Sequence, residues 1–316
     1  MKKSKSGNKK AGAEAKPKII AVVGPTATGK SELAVHLAKK FGGEIISADS
    51  RQVYKGMNIG TGKFSRKEMR GIRHYLLDVA SPKTANFNII KFKKRAEKAI
   101  SDILGREKVP IIAGGTGFWV DALAFNQNFP DVKPNPALRK KLEKFSAQTL
   151  HEMLRRMDPL RAKKIDAKNR RRLIRAIEIA ESGLQFLDIS KKSKPVYRTL
   201  FIGLDMPKKI LEKKIRSRME SRFARGMANE VRRLHARGVS WKTLENFGLE
   251  YKFIAQFLRG KIGAAQMREL LFTAIKHYAG RQKTWLKRNQ AINWLDARKK
   301  KSAFGKAEKL VKSFLF

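Results

Sequence analysis

The stretch GPTATGKS, residues 24–31, has the residue types and spacing of a phosphate-binding loop. It follows the short β-branched run Ile19 to Val23 and precedes a helical pattern, which is the context that such a loop requires. Glycines at both ends let the backbone N–H groups wrap a phosphate, and the helix N-terminus adds a favourable field. The stretch therefore predicts a phosphate site without specifying which molecule carries the phosphate.

Two side chains of the loop have distinct expected roles. Lys30 is expected to neutralise phosphate oxygens, and the Ser31 hydroxyl is expected to ligate Mg²⁺. We assign phosphate binding to the whole loop, namely Gly24, Pro25, Thr26, Ala27, Thr28, Gly29, Lys30 and Ser31.

Polar residues also follow two other predicted strands, at the same edge of the expected sheet. Asp49 comes directly after the strand Glu44 to Ala48, where it can ligand Mg²⁺ through water, act as a general base, or cap the next turn. Thr116, in the GGTG stretch after the strand Val109 to Ala113, can offer a hydroxyl to a ligand or cap the following helix.

Alternating strands, glycine turns and helices predict an α/β fold, a P-loop NTPase-like doubly wound parallel sheet with ligands at the strand carboxyl ends. The proline-rich stretch QNFPDVKPNP then begins a mainly helical region, and the chain returns to strand character at RTLFIGLDM. The predicted division is a disordered basic arm (1–17), a P-loop core with C-terminal helices (18–125 and 198–296), a helical insertion (126–197) and a basic tail expected to fray (297–316).

Two helical patterns are rich in arginine. In one of them an apolar stripe at four-residue spacing runs from Leu211 to Val231, and Gly226 is expected to weaken or bend that helix. Arg218 flanks the stripe and is able to reach into a cleft. In RRRLIR (170–175) the arginines point away from the apolar face. They predict either phosphate contacts or an ordinary solvated surface.

The charge balance is strongly positive, with 72 Lys and Arg against 27 Asp and Glu, a formal net charge of +45. A polyanionic partner, nucleic acid or a membrane surface, is the natural inference, and a lysine-biased lineage or a salty cell is the alternative. No apolar run is long enough to span a bilayer, and the N-terminus has no apolar segment of a secretory signal. With no cysteine and five histidines at no metal-ligand spacing, we expect a cytoplasmic protein without a zinc site.

Several of these stretches together resemble one family, the tRNA dimethylallyltransferases (tRNA isopentenyltransferases). They are GPTATGKS, ISADSRQVYKGMNIGTGK (46–63), AGGTG, RRLIRAIEI, RSRMESRFARGMANEVRRL and RQKTWLKR, and the resemblance covers roughly residues 18 to 296. The DSRQVYKG segment after the loop is the specific part, because shikimate and nucleotide kinases share the loop but not that segment.

The resemblance implies transfer of a dimethylallyl group from dimethylallyl diphosphate to the exocyclic N6 amine of an adenosine. That adenosine lies just 3′ of the anticodon in tRNAs reading codons that start with U. The loop would then hold the diphosphate of a prenyl donor together with Mg²⁺, and the helical insertion would bind the anticodon stem-loop. A monomer without a membrane partner is expected.

The resemblance also implies roles for individual residues. Asp49 is the expected catalytic base, Thr26 hydrogen-bonds near the reaction centre, and Arg218 contacts the diphosphate. The residues expected to touch tRNA are Asp49, Ser50, Arg51, Gln52, Thr116, Arg139, Arg171, Arg172, Arg175 and Gly248. The chain departs from the family at FGLEYK (247–252), where many bacterial members carry a Gly-Tyr-Arg/Lys segment.

Three alternative functions are weaker. An adenylate isopentenyltransferase, which prenylates free AMP, ADP or ATP, and a small-molecule P-loop kinase do not account for the helical insertion and the charge. A non-catalytic RNA-binding protein with a relict loop does not account for Lys30, Ser31, Asp49 and Arg218 being intact together.

Overall fold

A computed structural model of the protein describes residues 16–184 and 194–316. Its centre is a six-stranded sheet in the order β3-β2-β4-β1-β5-β6, and every neighbouring pair of strands is parallel. The strands are β1 (Lys18–Val23), β2 (Gly43–Ser47), β3 (His74–Tyr75), β4 (Val109–Gly114), β5 (Arg198–Asp205) and β6 (Ile292–Asp296). The predicted α/β fold with a P-loop-like parallel sheet is confirmed.

Helices connect and flank these strands. Those before β5 are α1 (Lys30–Lys40), α2 (Arg66–Met69), α3 (Ile89–Leu104), α4 (Gly117–Ala124), α5 (Pro136–Leu142), α6 (Ala147–Met157), α7 (Pro159–Lys164) and α8 (Arg170–Glu181). Those after β5 are α9 (Lys208–Ala224), α10 (Met227–Ala236), α11 (Trp241–Phe247), α12 (Leu249–Leu258), α13 (Ala264–Leu286) and α14 (Lys300–Leu315).

The position of β1 explains its sequence. It lies between β4 and β5, and its residues from Ile19 to Val23 are fully buried. A continuous β-branched run is what a strand covered on both faces requires. Because β1, β2 and β4 are parallel, their carboxyl ends meet at one edge of the sheet. The segments that follow these three strands are therefore brought together.

The long stripe from Leu211 to Val231 is two helices rather than one bent helix. The helix α9 ends at Ala224 and α10 begins at Met227. Gly226 between them has a φ of 87°, a left-handed conformation that interrupts a right-handed helix and that glycine adopts without strain. The expectation of a weakened or bent helix is therefore corrected to a break.

The helices α5 to α8 share a hydrophobic cluster of their own, separate from the main core. It contains Leu142, Leu150, Leu154, Leu173, Ala176 and Ile177. Each helix begins at a polar residue whose side chain accepts a backbone N–H three residues later, namely Asn135, Ser146, Asp158 and Asn169. Such caps satisfy donors that a helix leaves unpaired, which helps short helices to form.

The expected fraying of the C-terminal tail is wrong, because residues from Lys300 to Leu315 form α14. Its Ala303, Ala307 and Val311 are buried in the main core, at the spacing that places them on one face. Glu308 of the same helix is hydrogen-bonded to His36 of α1 at 2.6 Å. The lysines that suggested a loose tail lie on the exposed face of a packed helix.

Most of the predicted N-terminal arm, residues 1–15, and part of the insertion, residues 185–193, lie outside the described residues. Within the described ranges, every helix is too short or too polar to cross a bilayer.

Candidate active site

The loop between β1 and α1 is closed tightly enough to present its backbone N–H groups. Gly24 has a φ of 148°, and a Cβ atom there would lie 2.5 Å from the carbonyl oxygen of Leu204. Ala27 and Gly29 also have left-handed backbone, with φ of 66° and 91°. The buried Thr28 hydroxyl donates to the Pro25 carbonyl at 2.9 Å and ties the loop together. This geometry is that of an anion-binding nest at a helix N-terminus.

A cavity of about 380 Å³ opens in front of this loop, and we call it the P-loop cavity. It is lined by Ala27, Gly29, Lys30, Ser31, Glu32, Gly62, Phe64 and Arg218, among others. Burial and the positive charge of Arg218 lower the pKa of Lys30 to about 8. A bound polyanion would relieve this repulsion, so the cavity is electrostatically prepared for a phosphate group.

Thr26 and Arg218 lie side by side although 192 residues separate them, and the guanidinium of Arg218 donates to the Thr26 hydroxyl. Burial, and then the charge of nearby Arg222, lower the pKa of Arg218 to about 9. Cationic groups placed this close together, one buried and one partly buried, disfavour each other's charged form. Repulsion of this kind is characteristic of sites that bind an anion.

A second cavity has a volume of about 360 Å³, and we call it the Asp49 cavity. Arg218 lines both cavities. The lining of the Asp49 cavity includes Thr26, Asp49, Ser50, Arg51, Gly60, Thr61, Arg171, Arg218, Arg222, Phe247, Gly248 and Tyr278. Many of the predicted site residues therefore come together here. They arrive from the loop after β1, the turn after β2, the helices α8 and α9, and the junction of α11 with α12.

Asp49 lines this cavity and also caps its own turn, since one carboxylate oxygen accepts the backbone N–H of Arg51 at 2.9 Å. A role in the site and a role in the turn are thus compatible for this residue. The side chain of Arg51 donates to the carbonyl of Phe247 at 2.8 Å and so connects the turn after β2 to the end of α11.

The Thr116 side chain supports the Asp49 turn rather than capping α4. Its hydroxyl accepts the backbone N–H of Ser50 at 3.3 Å and lies near the phenol of Tyr278. Burial and the negative charge of Asp49 raise the pKa of Tyr278, so its hydroxyl stays protonated beside the carboxylate.

Three of the predicted tRNA contacts have polar groups that are already paired inside the protein. Gln52 accepts from Ser47 at 3.0 Å and donates to the carbonyls of the segment 61–62 at 3.4 Å. Arg139 forms a two-point ion pair with the buried Glu178, both contacts at 2.7 Å. Arg175 donates to the same carboxylate at 3.2 Å.

Arg171 and Arg172 differ from those side chains because both are exposed on α8. Arg171 lines the Asp49 cavity and donates to Asn246 at 3.4 Å. Arg172 is the next residue of the same exposed stretch. Both arginines are accessible to a ligand, and of the two it is Arg171 that lines the Asp49 cavity.

Sequence reasoning missed Gln282, which joins the phosphate loop to the glycines after β4. Its side-chain oxygen accepts the backbone N–H of Thr26 at 2.8 Å, and its nitrogen donates to the carbonyl of Gly115 at 2.8 Å. It is buried, in the RQKTWLKR stretch of α13. A single glutamine in a helix carries no spacing signal that could have identified it.

The position of Ser31 suits a magnesium ion whose other ligands are mainly water and substrate phosphates. Ser31 lines the P-loop cavity together with Glu32. Among the described residues no three acidic, histidine or cysteine side chains cluster as a metal site. Mg²⁺ commonly takes one or two protein oxygens, several waters and substrate phosphates, and this donor set suits that arrangement.

Comparison with known proteins gives a consistent result. The family model described as IPP transferase matches residues 52–289. The chain is 41% identical over 292 residues to the tRNA dimethylallyltransferase of Staphylococcus epidermidis, covering 89% of this chain and 87% of that protein. It is 37% identical over 306 residues to the tRNA dimethylallyltransferase of Acetivibrio thermocellus, covering 94% and 96%.

Solved structures agree with these sequence relatives. The crystal structure of the tRNA delta(2)-isopentenylpyrophosphate transferase of Staphylococcus epidermidis aligns with a TM-score of 0.69 at 36% identity, covering 94% of this chain and 99% of that one. A eukaryotic dimethylallyltransferase acting on tRNA aligns with a TM-score of 0.76 at 28% identity, covering 89% and 74%.

Proposed function

The chain belongs to the IPP transferase family, and we propose on that basis that it is a tRNA dimethylallyltransferase. It transfers a dimethylallyl group from dimethylallyl diphosphate to the N6 amine of the adenosine 3′-adjacent to the anticodon, in tRNAs that read codons starting with U. The product is N6-isopentenyladenosine and the leaving group is diphosphate.

The observation that carries this proposal is the pair of cavities that share Arg218. The P-loop cavity has the anion-binding groups, and the Asp49 cavity has the carboxylate and an exposed arginine at its rim. A transfer between two substrates needs two such sites with the reacting atoms at their junction. We place the diphosphate in the P-loop cavity and the adenine in the Asp49 cavity.

The transfer step follows from that placement. The N6 nitrogen attacks the allylic C1 carbon, a new C–N bond forms, and the C1–O bond breaks with its electron pair going to diphosphate. Asp49 accepts the proton that N6 loses. Thr26 is hydrogen-bonded to Arg218, and we assign it the role of orienting that arginine at the breaking bond.

Stabilisation of the leaving group falls to the cationic groups around the loop. Lys30 and Arg218 line the cavity in which negative charge grows as diphosphate departs, and the loop N–H groups add to their field. Ser31 would hold Mg²⁺, which when bound neutralises part of that charge.

For tRNA binding we propose that the helical insertion of residues 126–197 binds the anticodon stem-loop. The adenine must leave its stack to enter the Asp49 cavity, which is the logic of base flipping. The exposed Arg171 and Arg172 suit phosphate contacts. The turn of Ser50 and Arg51, supported by Thr116, and the junction at Gly248 surround the space for the extruded nucleotide.

Gln52, Arg139 and Arg175 stay predicted RNA contacts. Their polar groups already have partners within the protein, so we propose that any contribution to RNA affinity is smaller than that of the exposed arginines. We further propose that the protein acts as a monomer in the cytoplasm.

Incubation of the protein with labelled dimethylallyl diphosphate and either tRNA or AMP tests the function. We expect label in tRNA only. Label in AMP would indicate an adenylate isopentenyltransferase instead. Salt-sensitive tRNA binding without any label transfer would indicate a non-catalytic RNA-binding protein.

A further inference from the structure

A short loop, residues 58–62, forms a partition between the two cavities, and we call it the partition loop. Gly60 and Thr61 line the Asp49 cavity, and Gly62 lines the P-loop cavity. Arg218 completes the partition and lines both cavities. The position of this loop therefore sets how closely the contents of the two cavities approach.

One buried carboxylate holds the partition loop. Glu230 of α10 accepts the successive backbone N–H groups of Asn58 at 2.9 Å, Ile59 at 2.7 Å and Gly60 at 3.0 Å. It also accepts the hydroxyl of Tyr251 at 2.8 Å. The residue is 4% exposed, so these four donors replace the water that a charged carboxylate requires.

A buried arginine contacts the same loop. Arg222 donates to the carbonyl of Gly60 at 3.1 Å and to Glu250 at 2.9 Å. Its guanidinium occupies the space that a side chain at position 62 would need, and Gly62 has a left-handed φ of 63°. The loop is thus fixed through its backbone by one anion and one cation.

We infer that Glu230 is a positioning residue for prenyl transfer, acting through the partition loop and without touching either substrate. This inference rests on the proposed function. Side chains that hold the reacting groups in place alter the rate of the chemical step, since a displacement of those groups by about 1 Å lowers the rate on the order of 100-fold. Glu230 is therefore expected to affect kcat far more than the KM of either substrate.

Glu230→Gln is the variant that tests this inference. An amide places an N–H₂ group against at least one of the backbone N–H donors, so the loop loses part of its anchor while the side-chain size is kept. We expect kcat to fall by about 30-fold, with both KM values within about threefold of wild type. Glu269→Gln, which removes an exposed carboxylate paired with Arg216, serves as the matched control and should leave kcat unchanged.

Tyr251→Phe is a second variant, which removes the hydroxyl that donates to Glu230 and introduces no other polar group. We expect its kcat to fall by about fivefold, the worth of one hydrogen bond. It keeps the inference testable should Glu230→Gln fail to fold.

Single-turnover rates with saturating substrates, corrected for the fraction of protein that binds tRNA, give the decisive readout. A corrected rate equal to wild type in Glu230→Gln would overturn the inference. If that variant does not fold, an unchanged rate in Tyr251→Phe would do so. If the wild-type protein itself transfers no prenyl group, the proposed function fails and not this inference alone.

Discussion

Arg218 and Arg139 are both partly buried arginines, yet their pKa values are shifted in opposite directions. Arg218 lies near Lys30 and Arg222, and burial together with the charge of Arg222 lowers its pKa. Arg139 lies against the buried Glu178, and the hydrogen bond to that carboxylate raises the pKa of the arginine. The first arrangement leaves a repulsion that an anion relieves, whereas the second is already neutralised.

Arginine-rich sequence alone therefore does not identify a ligand site. The two regions are separated by whether a buried carboxylate lies within ion-pair distance of the guanidinium. Glu178 pairs with both Arg139 and Arg175 in the insertion. In the part of the chain that the structure describes, the guanidinium of Arg218 donates to the neutral hydroxyl of Thr26 instead of to a carboxylate. We expect Arg218 to act in binding and catalysis, and the pairs of the insertion to stabilise the fold.

Removing Arg218 is expected to have the strongest effect. Arg218→Ala should lower kcat/KM by at least about 100-fold, since a donor to the developing charge is lost. Its thermal midpoint should not fall, because the variant also removes repulsion with Lys30 and Arg222. Arg216→Ala, an exposed position on the same helix, is the control in steady-state assays. Equal losses of activity in the two variants would show that Arg218 has no specific role in the site.

Glu178→Gln is expected to damage stability rather than catalysis. Leaving Arg139 and Arg175 without their carboxylate should cost about 2 kcal/mol, less than a fully buried pair because both arginines are partly exposed. Urea unfolding at pH 7 measures this loss. An unchanged free energy of unfolding at pH 7 would contradict the structural role.

The same pair predicts a pH dependence of stability. Burial raises the pKa of Glu178, but hydrogen bonds from Arg139, Asn135 and Arg175 outweigh it, so the pKa of the folded state lies below the ordinary 4.5. The stabilising contribution is therefore present above about pH 4.5 and is lost as the pH falls through the lower, folded-state pKa. Urea unfolding at several pH values from 7 to 3 should show the difference between wild type and Glu178→Gln shrinking on acidification.

Binding of inorganic pyrophosphate should weaken as the pH rises above about 8, where Lys30 loses its proton. Each further pH unit reduces the charged fraction of Lys30 by up to about tenfold. Isothermal titration calorimetry between about pH 7 and pH 9.5 measures this, and Lys30→Met separates the titration of the protein from that of the ligand. A wild-type profile parallel to that of Lys30→Met would show that Lys30 is not the titrating group.

The weakest effect concerns the arginines of α8 and α5 in tRNA binding. We expect Arg172→Ala to make the slope of log K for tRNA binding against log salt concentration shallower by about one. This is the change for one lost phosphate contact, and Arg172 is exposed and so able to make one. Arg139→Gln should change the slope less, because Glu178 already neutralises its charge. Filter binding at several salt concentrations compares them. The reverse order would assign Arg139 to the RNA.

The fold and the centre of the site were predictable because their signals are local. The buried run before GPTATGKS, and Asp49 after the next strand, each carry their meaning within a few residues. The parallel sheet follows from the alternation of strands and helices. The helical pattern indicated that Arg218 could reach into a cleft, but only the family resemblance gave it a role in diphosphate binding.

The remaining features depend on contacts between distant parts of the chain. Gln282 meets the loop across 256 residues, and Glu230 meets the partition loop across 170. Neither residue type has a spacing rule that predicts such a role. The helix α14 was missed for another reason, since its many lysines obscured the apolar face of Ala303, Ala307 and Val311.

In the proposed reaction, Asp49 removes the proton from an adenosine amine that attacks a prenyl diphosphate held beside Arg218. Mass spectrometry of tRNA nucleosides after incubation with dimethylallyl diphosphate is the decisive test. We predict N6-isopentenyladenosine with the wild-type protein and none with Asp49→Ala, which should still bind pyrophosphate. Absence of the product with wild type would refute the reaction, and undiminished product with Asp49→Ala would refute the assignment of the base.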